Sequence, residues 1–235
     1  VVAVGKFRHI QPQPQQVPLF VGRVPILIIG ARMQHDRVFQ ELHVAFLKIH
    51  VQRDARFEGK PFDIAEENVQ SRTRGTILMA LSNKHRYVLL NTSNKSELAT
   101  GYGTLYGDMA GGLGVLGDLY KIQVYELAKY INREKEIIPT NIITKAPSAE
   151  LRPDQKDSDS LPDYSVLDQI LYQYIEKRAN PASIIAMGYS SELVNRTLKM
   201  VNTNEYKRNQ FCPIIRVSPK AFGVGRRMPI VGKYL

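Results

Sequence analysis

The residues best suited to chemistry follow a short apolar run. Tyr87-Val88-Leu89-Leu90 indicates a buried strand, and hydroxyl, amide and acid side chains follow it from Asn91 to Glu97. Parallel α/β sheets bind ligands at the carboxyl ends of their strands. Glycines, which let a backbone approach a ligand closely, come next at Gly101, Gly103, Gly107, Gly111 and Gly112. The pattern predicts a loop around a polar, phosphorylated ligand, although a glycine-rich stretch is also typical of an ordinary connection.

A helix is predicted just upstream of this strand. Asp63 and Glu66 have the spacing of a capping box, which marks a helix start. Asn68 and Arg72 lie four positions apart and therefore share one face of that helix. The helix also carries an apolar stripe formed by Val69, Ile77 and Leu81. We expect the stripe either to be exposed as an interface between two copies of the chain or to pack on the chain's own sheet.

Downstream, a second helix is predicted to begin with Asp118 as its cap. Lys121 then falls in its first turn, where a cation opposes the helix dipole. An anionic ligand explains a lysine at that position better than helix stability does. The polar stretch 147–159 lacks periodicity and is typical of a solvated surface loop. Apolar spacing predicts two more helices, over 166–175 and 193–201.

Composition excludes several classes of protein. No apolar run approaches the length of a membrane span, and the single cysteine, Cys212, excludes an internal disulfide framework and favours a reducing cytoplasm. The five histidines lack the spacing of a metal site. The net charge of +10 would suit a nucleic-acid partner, but the basic residues are scattered and no reader motif is present. A small phosphorylated ligand needs positive charge as well, so nucleic acid is the weaker alternative.

From about residue 58 onward, the chain resembles the NAD synthetase family, in particular the synthetase domain of the glutamine-dependent type. Five blocks carry the resemblance in order, at 62–72, 92–112, 145–157, 205–208 and 221–231. It implies a Rossmann-like parallel sheet of the adenine-nucleotide-hydrolase type, flanked by helices. It also implies a reaction in which ATP adenylates the carboxylate of deamido-NAD and ammonia displaces AMP to give NAD. Charge neutralisation and positioning dominate such chemistry.

The resemblance also implies roles for single residues. Positions that match ATP contacts are Thr92, Lys121 and Ser148, and positions that match deamido-NAD contacts are Asn68, Arg72, Glu97 and Lys207. Glu97 is in addition a possible magnesium ligand, because magnesium prefers hard oxygen ligands. The loop 147–159 is expected to close over the site. ATP and Mg²⁺ are thus the implied cofactors, and the family's homodimers imply a homo-oligomer.

Residues 1–57 depart from the family pattern. The family opens this domain with a strand and a Ser-Gly-Gly-x-Asp-Ser phosphate loop, and no such loop occurs here. We therefore expect an unmatched segment over 1–57, from a truncation or a reading-frame change, and a synthetase domain over 58–235 that lacks its first strand and has little or no activity. Leu105 stands where ammonia-dependent relatives usually carry lysine, which implies ammonia from glutamine through a glutaminase domain that this chain does not contain. The alternative function is a non-catalytic remnant that binds the dinucleotide.

Overall fold

A small sheet forms the centre of the fold. The computed structural model describes residues 59–232 together with two short strands upstream, β1 (Phe20–Val21) and β2 (Val24–Ile28). With β3 (Val88–Asn91) and β4 (Leu113–Gly114) they make a sheet of order β1-β2-β3-β4, in which β2, β3 and β4 are parallel. β2, which lies in the apolar run 24–30, pairs in parallel along β3. The rest of the predicted segment 1–57 lies outside the described residues.

Helices follow each strand of the parallel part. In chain order they are α1 (Ile64–His85), α2 (Lys95–Thr100), α3 (Lys121–Ile131), α4 (Thr140–Thr144), α5 (Tyr164–Ile175), α6 (Pro181–Ile185), α7 (Ser191–Thr203) and α8 (Glu205–Arg208), with one 3₁₀ turn at Asp157–Asp159. The alternation of strands and helices confirms the predicted α/β class. No described helix is long and apolar enough to cross a membrane.

The main core lies between α2, α5 and α7. Apolar side chains that are almost completely buried come from these helices, namely Leu98, Leu167, Leu171, Ile175, Leu198 and Val201. Both helices that apolar spacing predicted, over 166–175 and 193–201, are present as α5 and α7. Their packing fixes α2 directly behind the end of β3, so that the polar residues after the strand are held in place.

Helix α1 begins as predicted. The Asp63 carboxylate accepts a hydrogen bond from the Ala65 N–H at 2.7 Å, and the Asp63 N–H donates to Glu66 at 2.9 Å. The buried residues of α1 are polar apart from Gly75, and the stripe of Val69, Ile77 and Leu81 is half-buried. Gly75 allows a close approach to the loop 101–112, since a Cβ at this position would lie 2.8 Å from the Gly107 carbonyl oxygen.

Asp118 does not cap α3, contrary to the prediction. The helix begins at Lys121, and Gln123 accepts a hydrogen bond from the Tyr120 N–H at 2.9 Å. Asp118 is buried and instead accepts hydrogen bonds from the Lys95 ammonium at 2.7 Å and from the Ser218 N–H at 2.6 Å. A buried charge is stable only when it is paired, and this pairing outweighs the capping preference of aspartate.

The C-terminal tail joins the sheet. The Gly114 N–H donates to the Pro213 carbonyl at 2.8 Å, and the Ile215 N–H donates to the Gly114 carbonyl at 3.1 Å. The tail thus runs beside β4 as an extended segment before it reaches Asp118.

Candidate functional site

The loop 101–112, called the glycine loop below, is held by side chains around it. Asn91, the last residue of β3, donates from its amide to the carbonyls of Asp108 at 2.8 Å and Ala110 at 3.0 Å. Gly101 has φ +71°, a conformation that L-residues rarely adopt, and it ends α2 so that the chain can turn into the loop. The loop is therefore fixed at the carboxyl end of β3, where the sequence predicted a ligand site.

Two predicted dinucleotide residues on α1 contact this loop. Arg72 donates from Nε to the Leu105 carbonyl at 3.1 Å, and Asn68 accepts from the Thr104 hydroxyl at 2.7 Å. One turn of helix separates them, as their spacing predicted. The guanidinium of Arg72 is exposed, so its terminal nitrogens face solvent beside the loop. Their geometry suits a phosphate or carboxylate, which a guanidinium binds with parallel hydrogen bonds.

Lys207 reaches the same loop from α8. Its ammonium donates to the carbonyls of Gly101 at 2.7 Å and Gly103 at 2.8 Å. Burial lowers the pKa of Lys207, and the neighbouring Asp108 carboxylate opposes that shift. Lys207 therefore braces the loop that a dinucleotide would contact. The structure thus brings Asn68, Arg72 and Lys207 together, over a separation of more than one hundred residues along the chain.

Glu97 and Lys121 form a second group behind the loop. Glu97 accepts from the Asn94 N–H at 3.0 Å as part of a capping box, and its other oxygen lies 3.6 Å from the Lys121 ammonium. Lys121 is only 4% exposed and lies over the rings of Tyr125 and Tyr164, at 5.7 and 5.3 Å. Burial raises the pKa of the Glu97 carboxyl, while Lys121 opposes the shift. Within the part of the chain that the structure describes, the lysine has one distant ion-pair partner, which leaves most of its donor capacity for an anion.

Thr92 and Ser148 are the two remaining residues at positions predicted to contact ATP. Thr92 is half-buried and comes one residue after the end of β3. Its assignment to the ATP site rests on the sequence resemblance. Ser148 accepts a hydrogen bond from the Glu150 N–H at 3.0 Å. The loop 147–159 that carries Ser148 is tied to α1, because Arg74 donates to the Glu150 carbonyl at 3.0 Å and Arg152 lies 3.4 Å from Glu67.

Asp157 is a residue of this region that sequence reasoning missed. Its carboxylate is 4% exposed and accepts a hydrogen bond from the Tyr164 hydroxyl at 2.8 Å through Oδ2. The other oxygen, Oδ1, is buried and has no hydrogen-bond partner among the described residues. Burial, together with the Asp157 charge, raises the pKa of Tyr102 and of Tyr164. Nothing in the local sequence distinguishes Asp157 from the other acids of this polar loop.

A metal at this site would depend on Glu97. The described residues contain no group of three or more His, Cys, Asp or Glu side chains placed to hold a metal ion. Magnesium commonly binds through one or two carboxylates and takes its remaining ligands from water and substrate phosphates. Glu97 has one carboxylate oxygen that does not accept from Asn94. One such oxygen suits a magnesium ion that keeps its water and phosphate ligands, but not a site built wholly from protein side chains.

Comparison with known proteins agrees with these features. A model of the NAD synthase family matches residues 36–211. The glutamine-dependent NAD(+) synthetase of Acinetobacter baylyi is 55% identical over 177 residues, which covers 74% of this chain and 33% of that protein. The protein of the same name from Synechocystis sp. is 53% identical over 174 residues, which covers 74% and 31%. The chain thus spans about a third of the length of the curated relatives it matches.

A solved structure supports the fold. The NMN synthetase structure from Francisella tularensis has a TM-score of 0.54 at 28% identity and covers 72% of this chain and 60% of that one. The predicted Rossmann-like α/β fold with a parallel sheet and flanking helices is therefore confirmed. The family match covers most of the chain and includes the end of β3, the glycine loop and the Lys121–Glu97 pair. On these grounds, the chain belongs to the NAD synthase family.

Proposed function

We propose that this chain carries out the ATP-dependent amidation of deamido-NAD to NAD through an adenylated carboxylate, as a carbon–nitrogen ligase. The observation that carries the proposal is Lys121, a buried lysine at the first position of α3 whose only ion-pair partner among the described residues, Glu97, is 3.6 Å away. Family membership, with relatives named as NAD(+) synthetases, supplies the reaction class.

Lys121 neutralises negative charge on ATP as the carboxylate attacks its α-phosphorus and pyrophosphate leaves. An ammonium that is already fixed and shielded from water stabilises developing charge without reorganising, which is a large source of catalysis. Thr92 and Ser148 contribute hydroxyls to ATP from the end of β3 and from the loop 147–159.

Deamido-NAD lies along the glycine loop. Arg72 offers its exposed guanidinium to a phosphate or carboxylate of the dinucleotide, and Asn68 orients the loop through Thr104. Lys207 holds the loop carbonyls in place and contributes positive charge from behind them. Because the loop is fixed before the ligand arrives, less conformational freedom is lost on binding.

Glu97 is the residue that would hold Mg²⁺, and the ion would supply charge neutralisation for the ATP phosphates. Ammonia is the nitrogen source, and in the whole protein we propose that it comes from glutamine. We further propose a homodimer, a cytoplasmic location and a synthetase domain over 58–235. The family match that begins at residue 36 overlaps the segment upstream of that boundary.

A second candidate function is binding of the dinucleotide without catalysis. The observation that favours it is the absence of a Ser-Gly-Gly-x-Asp-Ser phosphate loop from the sequence, since Ala31-Arg32-Met33 follows the run 24–30 where that loop would stand. Without the loop, ATP loses a set of backbone donors that grip its phosphates.

One experiment separates the two functions. The chain is incubated with ATP, magnesium, deamido-NAD and ammonium, and pyrophosphate and NAD are quantified alongside deamido-NAD binding by calorimetry. We expect pyrophosphate and NAD in equal amounts from the wild type, at a low rate because the phosphate loop is missing, and neither product from Lys121→Met. The exposed Lys129 on the same helix provides the control Lys129→Met, which should match wild type. Dinucleotide binding with no pyrophosphate would instead establish the non-catalytic function.

A further inference from the structure

The carboxylates around Tyr102 are not all matched by cations. Glu67, Glu97 and Asp157 each lie close enough to Tyr102 to raise the pKa of its phenol, in addition to the larger effect of burial. Glu67 pairs with Arg152 at 3.4 Å, and Glu97 pairs with Lys121 at 3.6 Å. Asp157 has no lysine or arginine within ion-pair distance among the residues that the structure describes. The three carboxylates therefore have two cationic partners, of which Arg152 is shared with Asp159, and the excess of acidic over basic groups falls on Asp157.

Burial makes this excess costly. Asp157 is 4% exposed and Tyr164, which donates to its Oδ2, is 8% exposed. Oδ1 is buried and has no hydrogen-bond partner among the described residues. Leaving a buried acceptor in that state is unfavourable. A group that meets Oδ1 during the working cycle would remove the penalty.

The position of Asp157 joins the two loops of the site. Its N–H donates to the Pro147 carbonyl at 2.9 Å, which closes the base of the loop that carries Ser148. Its carboxylate faces Tyr102 of the glycine loop. A small cation at Oδ1 would thus lie between the segment assigned to ATP and the segment assigned to the dinucleotide, which is where an acyl adenylate must meet its nucleophile.

We propose that Oδ1 of Asp157 is the docking point of the nitrogen nucleophile, bound as ammonium and held as ammonia during attack. The proposal rests on the proposed amidation. Ammonium fits because it is cationic, carries only N–H donors and is about the size of a water molecule. The ligand must be small because Asp157 and Tyr164 are both more than nine-tenths buried. Magnesium keeps several water ligands when it binds, and the buried Oδ1 is not exposed to a hydrated ion.

The chemical step then balances as follows. Bound ammonium first loses one proton to water. The nitrogen lone pair of ammonia forms a bond to the acyl carbon, the bond from that carbon to the AMP phosphate oxygen breaks, and AMP leaves with the electron pair. The nitrogen becomes positively charged as it adds, and the Asp157 carboxylate stabilises that charge until a second proton passes to water. A fixed opposite charge at the reacting atom is an effective form of stabilisation.

The first test separates the two half-reactions. Adenylation is followed as exchange between ATP and pyrophosphate without an amine, and amide formation as NAD produced over a range of ammonium concentrations. Asp157→Asn should leave the exchange within twofold of wild type, raise the KM for ammonium and lower NAD formation at limiting ammonium by about 10²-fold. Asp159→Asn removes the same charge two residues away, from an exposed side chain paired with Arg152, and should behave as wild type.

Unchanged ammonium dependence in Asp157→Asn would overturn the proposal, as would equal loss of both half-reactions in a folded variant. Absence of exchange in the wild type would mark failure of the proposed amidation instead. In that case, a binding measurement still tests whether ammonium binds at Asp157. The chain has no tryptophan, so tyrosine absorbance is readable, and ammonium chloride is titrated against sodium chloride at equal ionic strength.

In that titration the wild type and Asp159→Asn should show a saturable change specific to ammonium, and Asp157→Asn should not. Methylammonium should be much weaker, because the site is small. A wild-type protein that shows no such change, or one that responds equally to magnesium, would refute an ammonium subsite even if the Asp157 variant fails to fold.

Discussion

Two buried lysines, Lys95 and Lys121, each begin a helix, but they differ in how many hydrogen-bond acceptors surround their ammonium groups. Lys95 begins α2, is completely buried, and donates to Asp118 at 2.7 Å, to Ser218 at 2.8 Å and to Glu176. Lys121 begins α3, is 4% exposed, and its nearest acidic oxygen is 3.6 Å away on Glu97. Both lie over aromatic rings, so the surroundings differ mainly in the polar contacts.

The difference separates a structural ion cluster from a candidate ligand site. Three short hydrogen bonds use all the donors of the Lys95 ammonium, which then has nothing to offer a ligand. Lys121 has been moved out of water without an equivalent set of acceptors, which is the state expected of a cation that awaits an anion. The tail residue Ser218 belongs to the first cluster, and Asp157 lies beside the second.

The largest effect should come from Lys95→Met. It leaves Asp118 and Glu176 buried without a cation, and breaking a buried ion pair costs about 3–5 kcal/mol. Urea titration should show that loss in the free energy of unfolding, with Lys129→Met unchanged. A loss below about 1 kcal/mol would mean that water reaches the cluster and that the contrast between the lysines is overstated.

Lys121→Met should affect catalysis strongly and stability weakly, the reverse of Lys95→Met. Its release of pyrophosphate should fall by about 10²–10³-fold, the range for one fixed electrostatic contact. The free energy of unfolding should change far less than in Lys95→Met, since few contacts are lost. A variant that is strongly destabilised but retains normal exchange would place Lys121 with Lys95 as a structural residue.

Lys207 tests an intermediate case, because it is half-buried and bonded to two loop carbonyls. Lys207→Met should cost about 1.5–3 kcal/mol of stability, as for hydrogen bonds of a charged group. It should also lower turnover efficiency with deamido-NAD by about 10²-fold, through a loop that is no longer fixed. Steady-state kinetics and urea titration on one preparation give both numbers, and unchanged kinetics with unchanged deamido-NAD affinity would remove Lys207 from the site.

The smallest effect is the pH dependence of the two carboxylates. Burial raises the pKa of Asp118, but the hydrogen bonds from Lys95, Val217 and Ser218 outweigh it and lower the pKa overall. Its contribution to stability is therefore present above the unfolded value of about 3.9 and is lost as the pH falls through the lower folded value. Asp118→Asn should reduce the loss of stability below about pH 4.

Glu97 should act with the opposite sign. Burial raises its pKa, so its contribution is present at low pH and is lost as the pH rises from about 4.3 towards the higher folded value. Glu97→Gln should therefore gain stability at pH 7 relative to wild type. Urea unfolding from pH 3 to 7 measures both variants, and slopes of the same sign would contradict the assignment of the two clusters.

Sequence reasoning succeeded where the determining interactions are local. The capping box of Asp63 and Glu66 spans three residues, and the periodicity of α5 and α7 is contained in each helix. It failed for Asp118, whose partners Lys95 and Ser218 lie 23 and 100 residues away. Asp157 was missed for the same reason, because its significance comes from charges on other elements.

In the candidate site, too, the sequence predicted part of the arrangement and missed the contacts between distant elements. The resemblance supplied the residue types, and the structure brings Asn68, Arg72 and Lys207 to one loop and Glu97 to Lys121. That these residues contact backbone carbonyls and one another could not be obtained from their spacing. The roles of Thr92, Ser148 and the others in ligand binding stay predictions.

The contact between Lys95 and the C-terminal tail has a consequence for how the protein is made. Ribosomes add about 5–20 residues per second, so the 123 residues between Lys95 and Ser218 take on the order of 6–25 s to appear. Throughout that interval a growing chain holds Lys95 without Ser218 and without the ring of Phe222 that later lies over it. The domain therefore completes its interior only after the tail has been synthesised, and a slow ribosome prolongs the time during which chaperones must shield it.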